Sequence, residues 1–476
     1  MSDCDLIVKA ARKGPSRGGA EKNAITQLAE YAVTMRFSHL PPEVIEHARI
    51  ILLDTIGVIF GGSVEPQTRA MAHRLGKENG GPSTLVGHRL RTSPLNAALV
   101  NGTAATWLDF DSGHRPPPGK PLLPAAHAPV HLVPAALAVG EAVKASGTEI
   151  LAALIVGYDA GARIAMGSRI RPEIHPHGTC HNVSAAVAAR RLNGGDIELM
   201  ERTIGLAIHL EIMPSFQNAY EGRTVRNTYA GVGAAAGVLA SQLAGIGITP
   251  ERDALGSVYE GIISPWLDPV RITEELGKRF EITLGFIKPY PMCRFGHPAL
   301  EATEALVKEH RVIPEEIEEV EVRTFSWAAT LDDPAPRTDL GAKFSVPWAV
   351  ASMLVRKSAG ADDFRNKSLS DPLVRSVAAK VRVKEDPLYT AMTPAKRPAR
   401  VTVKTKQGKV YTSEVERSGG GPDAPLSKEK IQEKFRSLTE PVIGREQTDA
   451  VIEKVETIEG VKDIRDLTRL FVPPSS

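Results

Sequence analysis

Helical periodicity runs through most of this chain and limits the folds that it can form. Between residues 23 and 284, apolar side chains recur at three- and four-residue steps in one segment after another. Pro42 opens one such segment and Gly61 ends it, as proline and glycine commonly do at helix ends. Further helices are predicted for residues 134–145, 149–162, 183–192, 197–213 and 228–243. We therefore expect this part of the chain to be all-helical.

Two of these segments carry signals at particular residues. Thr148 is expected to cap the helix that follows it, with Glu149 in the first turn beside the positive end of the helix dipole. The last segment contains Gly231, Gly233 and Gly237. Each glycine inside a helix lowers the stability of the helix by roughly 0.5–1 kcal/mol relative to alanine. Their presence predicts close helix packing or the approach of a ligand.

The pattern of the sequence changes after residue 285. Apolar and polar residues alternate at 316–325 and again through 399–415, where 406–409 separate two runs, so we predict strands with the last two in a hairpin. Helices are predicted around these strands at residues 298–309, 345–354 and 371–381. From residue 427 the helical pattern returns, through 429–438 and 446–458.

The order of these segments predicts a mainly α fold with two domains. A large all-helical domain is built from both chain ends, residues 23–284 and 427–470, and a smaller α+β lid domain, residues 285–426, is inserted between them. Residues 1–22 have no apolar stretch of signal-peptide length and are expected to be a mobile N-terminal tail. The three glycines at 419–421 are a predicted hinge where the lid domain returns the chain.

Charge and cysteine content exclude several classes of function. The sequence has 58 basic and 56 acidic residues, a formal net charge of +2, so no imbalance indicates binding to nucleic acid or to an anionic membrane. No apolar run reaches the roughly 18 residues of a transmembrane helix. The 3 cysteines are too scattered for a disulfide framework or a zinc site. We therefore expect a cytoplasmic protein with no nucleic acid and no membrane as partners.

A loop between two helical segments gathers groups that transfer protons. Asp109, Asp111 and His114 are followed closely by His127 and His131. Carboxylates and imidazoles on a stretch broken by glycine and proline suit a site where a carbon acid gains or loses a proton. The alternative is structural, with an aspartate that caps the loop backbone and histidines on the surface.

A second cluster contains His175, His177, Cys180 and His181. Its spacing fits neither a zinc finger nor a helical pair of histidines, and the proline and glycine within it hinder simultaneous ligation, so no metal is predicted. The loop precedes a helix, where imidazoles and free backbone N–H groups favour a bound carboxylate. A surface turn is the alternative.

Basic residues follow in two further segments. Arg223 and Arg226 precede the glycine-rich helix, where a guanidinium could form two parallel hydrogen bonds to a carboxylate, although exposed arginine is the common alternative. Residues 286–298 lie at the predicted domain junction, where clefts form, and contain Lys288 and Cys293. Cys293 is either a nucleophile or a small buried side chain, and Lys288 is the stronger candidate. No dinucleotide, phosphate-loop or serine-elbow motif occurs.

Several short motifs stand in a characteristic order over residues 23–465. They are Leu-Asp-Phe-Asp at 108–111, His127 with Pro134, His175-Pro, Arg226-Asn, Lys288-Pro-Tyr-Pro with His297-Pro, and Lys343-Phe-Ser. In this order they resemble the MmgE/PrpD family, which includes 2-methylcitrate dehydratase, cis-aconitate decarboxylase and iminodisuccinate epimerase. The resemblance implies a large all-helical domain with an inserted α+β lid domain, a homodimer, and chemistry without a metal ion or an organic cofactor.

The same resemblance implies roles for particular residues. The implied catalytic residues are Asp109, His127, His175 and Lys288. The implied substrate-binding residues are Arg226, Cys293, His177 and Trp348. The sequence departs from the pattern of the decarboxylase branch, with Gly113 for threonine, Arg226 for lysine, Cys293 for histidine and Trp348 for tyrosine. These departures argue against decarboxylation of cis-aconitate.

The implied chemistry takes place next to a carboxylate of a small di- or tricarboxylic acid. We expect His127, oriented by Asp109, to exchange the proton. Arg226, His175 and Lys288 are expected to hold the substrate carboxylates and the developing charge. The favoured reaction is a dehydration of the 2-methylcitrate type, catalysed by a lyase. An epimerase of the iminodisuccinate type and a non-catalytic small-acid binding protein stay open as alternatives.

Overall fold

The computed structural model describes residues 23–78, 80–115 and 127–474, and the predicted mobile tail at 1–22 lies outside them. The predicted mainly α fold is confirmed. Among the described residues, no helix is long and apolar enough to cross a membrane. The helices of the first part of the chain are α1 (Ala24–Thr34), α2 (Pro42–Ser63), α3 (Pro66–Glu78), α4 (Pro94–Trp107), α5 (Pro129–Val143), α6 (Gly147–Met166), α7 (His181–Asn193), α8 (Ile197–His209), α9 (Gln217–Tyr220), α10 (Tyr229–Gly245) and α11 (Pro269–Thr273).

The glycine-rich helix α10 packs closely against α4 and α7. A Cβ atom at Gly231 would lie 2.3 Å from the carbonyl oxygen of Leu99, and one at Gly237 would lie 2.5 Å from the Cβ of Ala185. Any larger side chain at these positions would push the helices apart. The close packing therefore offsets the loss of helix stability that glycine causes. The close helix contact predicted from the sequence is confirmed.

Two predicted helix starts are wrong. Ser146, and not Thr148, caps α6, because its hydroxyl accepts from the N–H of Glu149 at 3.3 Å while the Glu149 carboxylate accepts from the N–H of Ser146 at 2.7 Å. This reciprocal arrangement satisfies two backbone donors at once. The helix α5 begins at Pro129, which supplies the start signal, and Pro134 lies inside it.

Three short strands lie in the part of the chain predicted to be all-helical, residues 23–284, and that prediction is corrected accordingly. β1 (Ser83–Thr84) pairs with β2 (Arg91–Thr92), and β3 (Gly113–His114) pairs with β4 (Gly285–Phe286). The second pair places the loop that carries Asp109 beside the loop that carries Lys288. Strands this short have too few residues to show an alternating pattern.

Residues beyond 290 form an α+β region around a four-stranded sheet. The strands are β5 (Ile317–Thr324), β6 (Val381–Glu385), β7 (Ala399–Thr405) and β8 (Val410–Val415), in the order β6-β5-β7-β8. The helices are α12 (His297–Glu309), α13 (Ser326–Ala329), α14 (Asp339–Lys343), α15 (Val346–Arg356), α16 (Pro372–Ala378) and α17 (Pro387–Ala391). The predicted hairpin of β7 and β8 is confirmed. The predicted helix over 371–381 ends instead at Ala378, because Val381 begins a strand that pairs in parallel with β5.

Two large apolar cores correspond to these two parts of the chain. The first joins the helices before residue 288 to the C-terminal helices α18 (Lys428–Ile443), α19 (Arg445–Glu456) and α20 (Arg465–Thr468). The second contains Ala219 and buried residues between 292 and 403. The helix α18 packs on α2, where the ring of Phe435 lies against Gly57. This arrangement supports the return of the C-terminal helices to the first body, while the domain boundaries and the lid role stay predictions.

Candidate active site

A tight turn after α4 buries both acids of the loop. The helix ends at Trp107, and Asp109 has a left-handed backbone conformation with φ of 50°. Aspartate is one of the few residues with a Cβ that tolerate this conformation. The chain then enters β3, which β4 holds in place. Asp109 and Asp111 are therefore fixed inside the protein, 1% and 0% exposed.

Asp111 contacts the predicted general base. Its Oδ2 lies 2.6 Å from Nδ1 of His127 and 3.3 Å from Nε2 of His177. The prediction that Asp109 orients His127 is wrong, because two buried cations engage Asp109 instead. The Nδ1 of His127 also lies 3.1 Å from the carbonyl oxygen of Ser112. Two acceptors at Nδ1 favour the proton there and leave Nε2 as the basic nitrogen.

The surroundings keep Asp111 ionised and His177 neutral. Burial alone would raise the pKa of the Asp111 carboxyl, but Lys288 and His127 outweigh burial and hold this pKa well below its usual range. Burial, followed by the charge of Arg226, lowers the pKa of His177 well below its usual value. A buried carboxylate beside an imidazole stabilises the imidazolium that forms when the ring takes a proton.

Asp109 is enclosed by the two cations. Its Oδ1 accepts a short hydrogen bond from Nη2 of Arg226, and its Oδ2 lies 3.1 Å from Nζ of Lys288. Lys288 also donates to the carbonyl oxygen of Asp109 at 2.7 Å and lies 3.7 Å from Oδ1 of Asp111. Buried charges are tolerated in proteins when they are paired in this way. The site thus holds two fixed positive charges whose present partner is a carboxylate of the protein.

His175 lies against the same arginine. Its Nδ1 lies 3.1 Å from the backbone N–H of His177, and its Nε2 lies 3.4 Å from Nε of Arg226. An N–H donor thus faces each ring nitrogen of His175. A neutral imidazole has one nitrogen without a proton, so it can accept a hydrogen bond from only one of these two donors. A carboxylate bound between Arg226 and His175 would relieve this conflict. Arg223, the other arginine of the segment, is exposed beside Glu221.

A second buried ion pair supports the loops from behind. Lys434 on α18 lies 2.6 Å from Asp54 on α2 and donates to the carbonyl oxygens of Phe110 at 2.8 Å and Lys288 at 3.2 Å. It thereby ties together the two loops that carry the candidate residues. A cleft of about 1220 Å³ opens beside it, with Phe110, Tyr290 and Lys434 among its lining residues. The sequence carries no signal for Lys434, which is one of several lysines on an amphipathic helix.

Cys293 and Trp348, two residues that the resemblance implies for substrate binding, have different surroundings. Burial, followed by the charge of Asp109, raises the pKa of the Cys293 thiol to about 11. A protonated thiol is a poor nucleophile, which favours the buried-side-chain alternative. Trp348 is 1% exposed within the second apolar core, and its Nε1 donates to the carbonyl oxygen of Asp363 at 3.0 Å. Its side chain is thus used in packing here, and its contact with substrate stays a prediction.

Other histidines of the two clusters have structural partners. The Nδ1 of His131 lies 3.0 Å from the carbonyl oxygen of His127, and its Nε2 accepts from a backbone N–H at 2.9 Å. Burial lowers the pKa of His131 to about 4, so the ring is neutral. The Nε2 of His114 lies 3.2 Å from the carboxylate of Glu281. These contacts fix the walls of the site and leave His127 as the partly exposed imidazole, with 18% of its side chain accessible.

One group of side chains has the composition of a metal site. Asp111, His127 and His177 each offer a ligand atom, and these atoms lie within 4.8 Å of one another. Two imidazoles and a carboxylate suit a first-row divalent metal ion. The ammonium of Lys288, however, lies 3.7 Å from the other oxygen of Asp111, so a metal ion would meet a fixed positive charge. The donors fit proton transfer better than metal binding.

Comparison with known proteins gives a consistent result along the chain. The MmgE/PrpD N-terminal domain matches residues 26–264 and the MmgE/PrpD C-terminal domain matches residues 290–458. A cis-aconitate decarboxylase from Mus musculus is 24% identical over 93% of this chain and 92% of its own length. The cis-aconitate decarboxylase-like protein oryM from Aspergillus oryzae is 24% identical over 95% and 98%, and a cis-aconitate decarboxylase from Homo sapiens is 23% identical over 93% of each chain. With both domains matched in order, the chain belongs to the MmgE/PrpD family.

Proposed function

We propose that the protein is a lyase for a small di- or tricarboxylic acid and that it begins by removing a proton next to a carboxylate. The observation that carries this proposal is the 2.6 Å contact between Oδ2 of Asp111 and Nδ1 of His127, beside the buried cations Lys288 and Arg226. An oriented imidazole removes protons, and fixed cations stabilise the enolate-like charge that results. The names of the relatives support the same class of substrate.

In this proposal His127 takes the proton at Nε2. Asp111 stays ionised throughout and stabilises the imidazolium, so its role is to position and charge-balance the base. Arg226 and Lys288 share Asp109 in the structure, and a substrate carboxylate would compete with Asp109 for them. A substrate carboxylate in place of Asp109 would leave neither buried cation without a partner.

Dehydration is the reaction that we propose. The base removes the proton, the C–O bond on the neighbouring carbon breaks, and the hydroxide leaves as water with a proton from an acid, which creates an alkene. Lys288 or a histidine must supply that proton, because arginine cannot release one near neutral pH. Gly113, Arg226 and Cys293 stand where the decarboxylase pattern has threonine, lysine and histidine, which favours dehydration over decarboxylation.

Proton NMR in deuterated water tests the reaction directly. Purified protein is incubated with 2-methylcitrate, citrate, cis-aconitate and iminodisuccinate, and alkene signals and deuterium exchange are followed over time. The same panel is run with His127→Ala, and with His39→Ala as a control that removes an exposed imidazole. We expect alkene formation that is lost in His127→Ala and kept in His39→Ala.

The other outcomes assign other functions. Deuterium exchange without an alkene indicates an epimerase, loss of carbon dioxide indicates a decarboxylase, and tight binding without exchange indicates a small-acid binding protein. Near-full activity of a natively folded His127→Ala variant would refute the assigned base.

The assembly and the hinge are also proposals. The family resemblance leads us to propose a homodimer, which sedimentation of the intact chain tests directly. Movement of the α+β region at residues 419–421 is tested by limited proteolysis, because a closed state should protect this turn when an acid substrate is bound. Equal cleavage with and without that substrate would count against the movement.

A further inference from the structure

Three buried arginines form a group that the proposed reaction does not use. Arg115 follows β3, Arg294 lies in the loop after Lys288, and Arg397 precedes β7. They are 9%, 7% and 7% exposed, respectively. Arginine is rarely buried to this extent unless an acid pairs with it. Their surroundings therefore need a physical explanation.

The turn at residues 418–421 brings Arg294 and Arg115 together. Arg294 donates to the carbonyl oxygens of Ser418 and Gly419 at 3.2 and 2.8 Å. The Nη1 of Arg115 lies 3.9 Å from the point where a Cβ atom on Gly421, in the same turn, would lie. The Arg294 guanidinium thus contacts carbonyl oxygens of this turn, which carry only partial charge, and the Arg115 guanidinium lies beside the same turn.

Arg397 approaches from the sheet. Its Cζ lies 5.3 Å from the ring centroid of Phe295, the residue that follows Arg294. The three charges also act on one another, since burial, followed by Arg115, lowers the pKa of Arg294 to about 10. Burial, followed by Arg115 and Arg294, lowers the pKa of Arg397 to about 9. The group is therefore a single concentration of positive charge.

This charge has little compensation from the protein. In the part of the chain that the structure describes, Nη2 of Arg115 and Nε of Arg397 have no hydrogen-bond acceptor. Nη1 of Arg294 lies 3.0 Å from Nδ1 of His297, an imidazole and not an acid. The carboxylates that act on the group are Asp423 and Glu301. Asp423 is paired with Arg417 at 2.6 Å, and Glu301 accepts from a backbone N–H at 2.8 Å.

We propose that Arg115, Arg294 and Arg397 bind an oxyanion, a carboxylate or phosphate group, at a site distinct from the Asp111–His127 pair. Planar guanidinium groups match the geometry of both anions and are the usual protein partners for them when buried. An anion would supply the two acceptors that Arg115 and Arg397 lack and would remove the repulsion among the three charges.

Phe286 lies close to both this group and the proposed base. Its ring centroid lies 6.0 Å from that of His127 and 5.1 Å from Cζ of Arg294. The bound anion is therefore either a distal group of the acid substrate or a separate small anion. The two sources share one chemistry, and an experiment can distinguish them.

Binding of inorganic phosphate tests the site without requiring turnover, so the result does not depend on the proposed reaction. The thermal midpoint and the calorimetric Kd are measured for the full chain in phosphate against sodium chloride at equal ionic strength. The variants are Arg115→Gln and Arg397→Gln, with Arg311→Gln as a control that removes an exposed arginine. A repeat with saturating citrate shows whether phosphate and a tricarboxylate exclude each other.

We expect phosphate to raise the thermal midpoint of the parent protein and of Arg311→Gln. Each buried variant should weaken phosphate binding by about tenfold or more, the usual effect of losing a hydrogen bond to a charged group. In phosphate-free buffer, Arg397→Gln should unfold at the same or a higher temperature, because it removes a buried charge without a partner.

Competition with citrate assigns the site to a substrate carboxylate, and independent binding assigns it to a separate anion; both support the site. A response to phosphate no larger than that to chloride overturns the proposal. A response that survives in both buried variants overturns it as well, because the anion then binds elsewhere.

Discussion

Replacing Asp111 by asparagine tests how the base is activated, because it removes one charge and keeps the shape of the side chain. The carboxylate lies 2.6 Å from Nδ1 of His127. At an effective dielectric constant of about 20, unit charges at that separation attract each other by about 6 kcal/mol before other costs. Desolvation and rearrangement offset about half of this attraction, which leaves about 3 kcal/mol for the imidazolium state. This free energy corresponds to a decrease in kcat of roughly a hundredfold.

The expected decrease lies in kcat and not in KM. Asp111 contacts two imidazoles and an ammonium group, whereas the cations proposed to hold substrate are bound to Asp109. The decrease becomes larger if the amide N–H of the new asparagine faces Nδ1, because the ring then carries its proton on the wrong nitrogen. Activity against pH should also change, which a purely structural role for Asp111 would not cause.

The assay is steady-state turnover of the acid identified by NMR, with the thermal midpoint as a check on folding. Asp332→Asn is the matched control, since Asp332 is exposed. The double variant with His127→Ala is decisive, because a residue that acts only through His127 adds nothing once His127 is absent. If the two losses multiply, or if Asp111→Asn retains more than about a third of kcat, the reasoning is refuted.

The remaining predictions concern the thiol, a metal ion and a buried acid. Cys293→Ser should keep kcat within about threefold, because the thiol is protonated at neutral pH; a hundredfold loss in a natively folded variant would make the thiol a reactant. Dialysis against EDTA should leave turnover unchanged, since Lys288 opposes a cation at Asp111; a loss restored by zinc would contradict this. His114 and two arginines outweigh burial and lower the pKa of Glu281 from 4.5 to about 2, so its stabilisation is complete above pH 4.5 and is lost as pH falls towards 2. Urea unfolding of Glu281→Gln should therefore show a deficit of about 3 kcal/mol at pH 7 that shrinks below pH 4.5, unlike the exposed Glu315→Gln; a deficit independent of pH would contradict this assignment.

The sequence predicted the elements whose signal is local. The helix opened by Pro42 and the hairpin of β7 and β8 follow from periodicity and turn residues that lie within the segment itself. The strand β6 was missed because it is short and edge-paired, and its strand conformation depends on a parallel partner far away in the sequence. The cap of α6 was misplaced by two residues, since Ser146 and Thr148 are equally good caps until the position of Glu149 decides between them.

The same division holds for the candidate site. The ordered motifs of this sequence were sufficient to place the chain in its family and to single out His127, His175, Arg226 and Lys288. Only the tertiary structure decided that Asp111 contacts His127, that Asp109 lies between two cations, and that Trp348 is a packing residue. The physical reason is that the partner of a charged group depends on distances of a few ångströms between side chains of different segments, which for Asp109 and its two cations are more than a hundred residues apart in the sequence. Such distances result from helix packing and short strand pairs, which local sequence patterns do not encode.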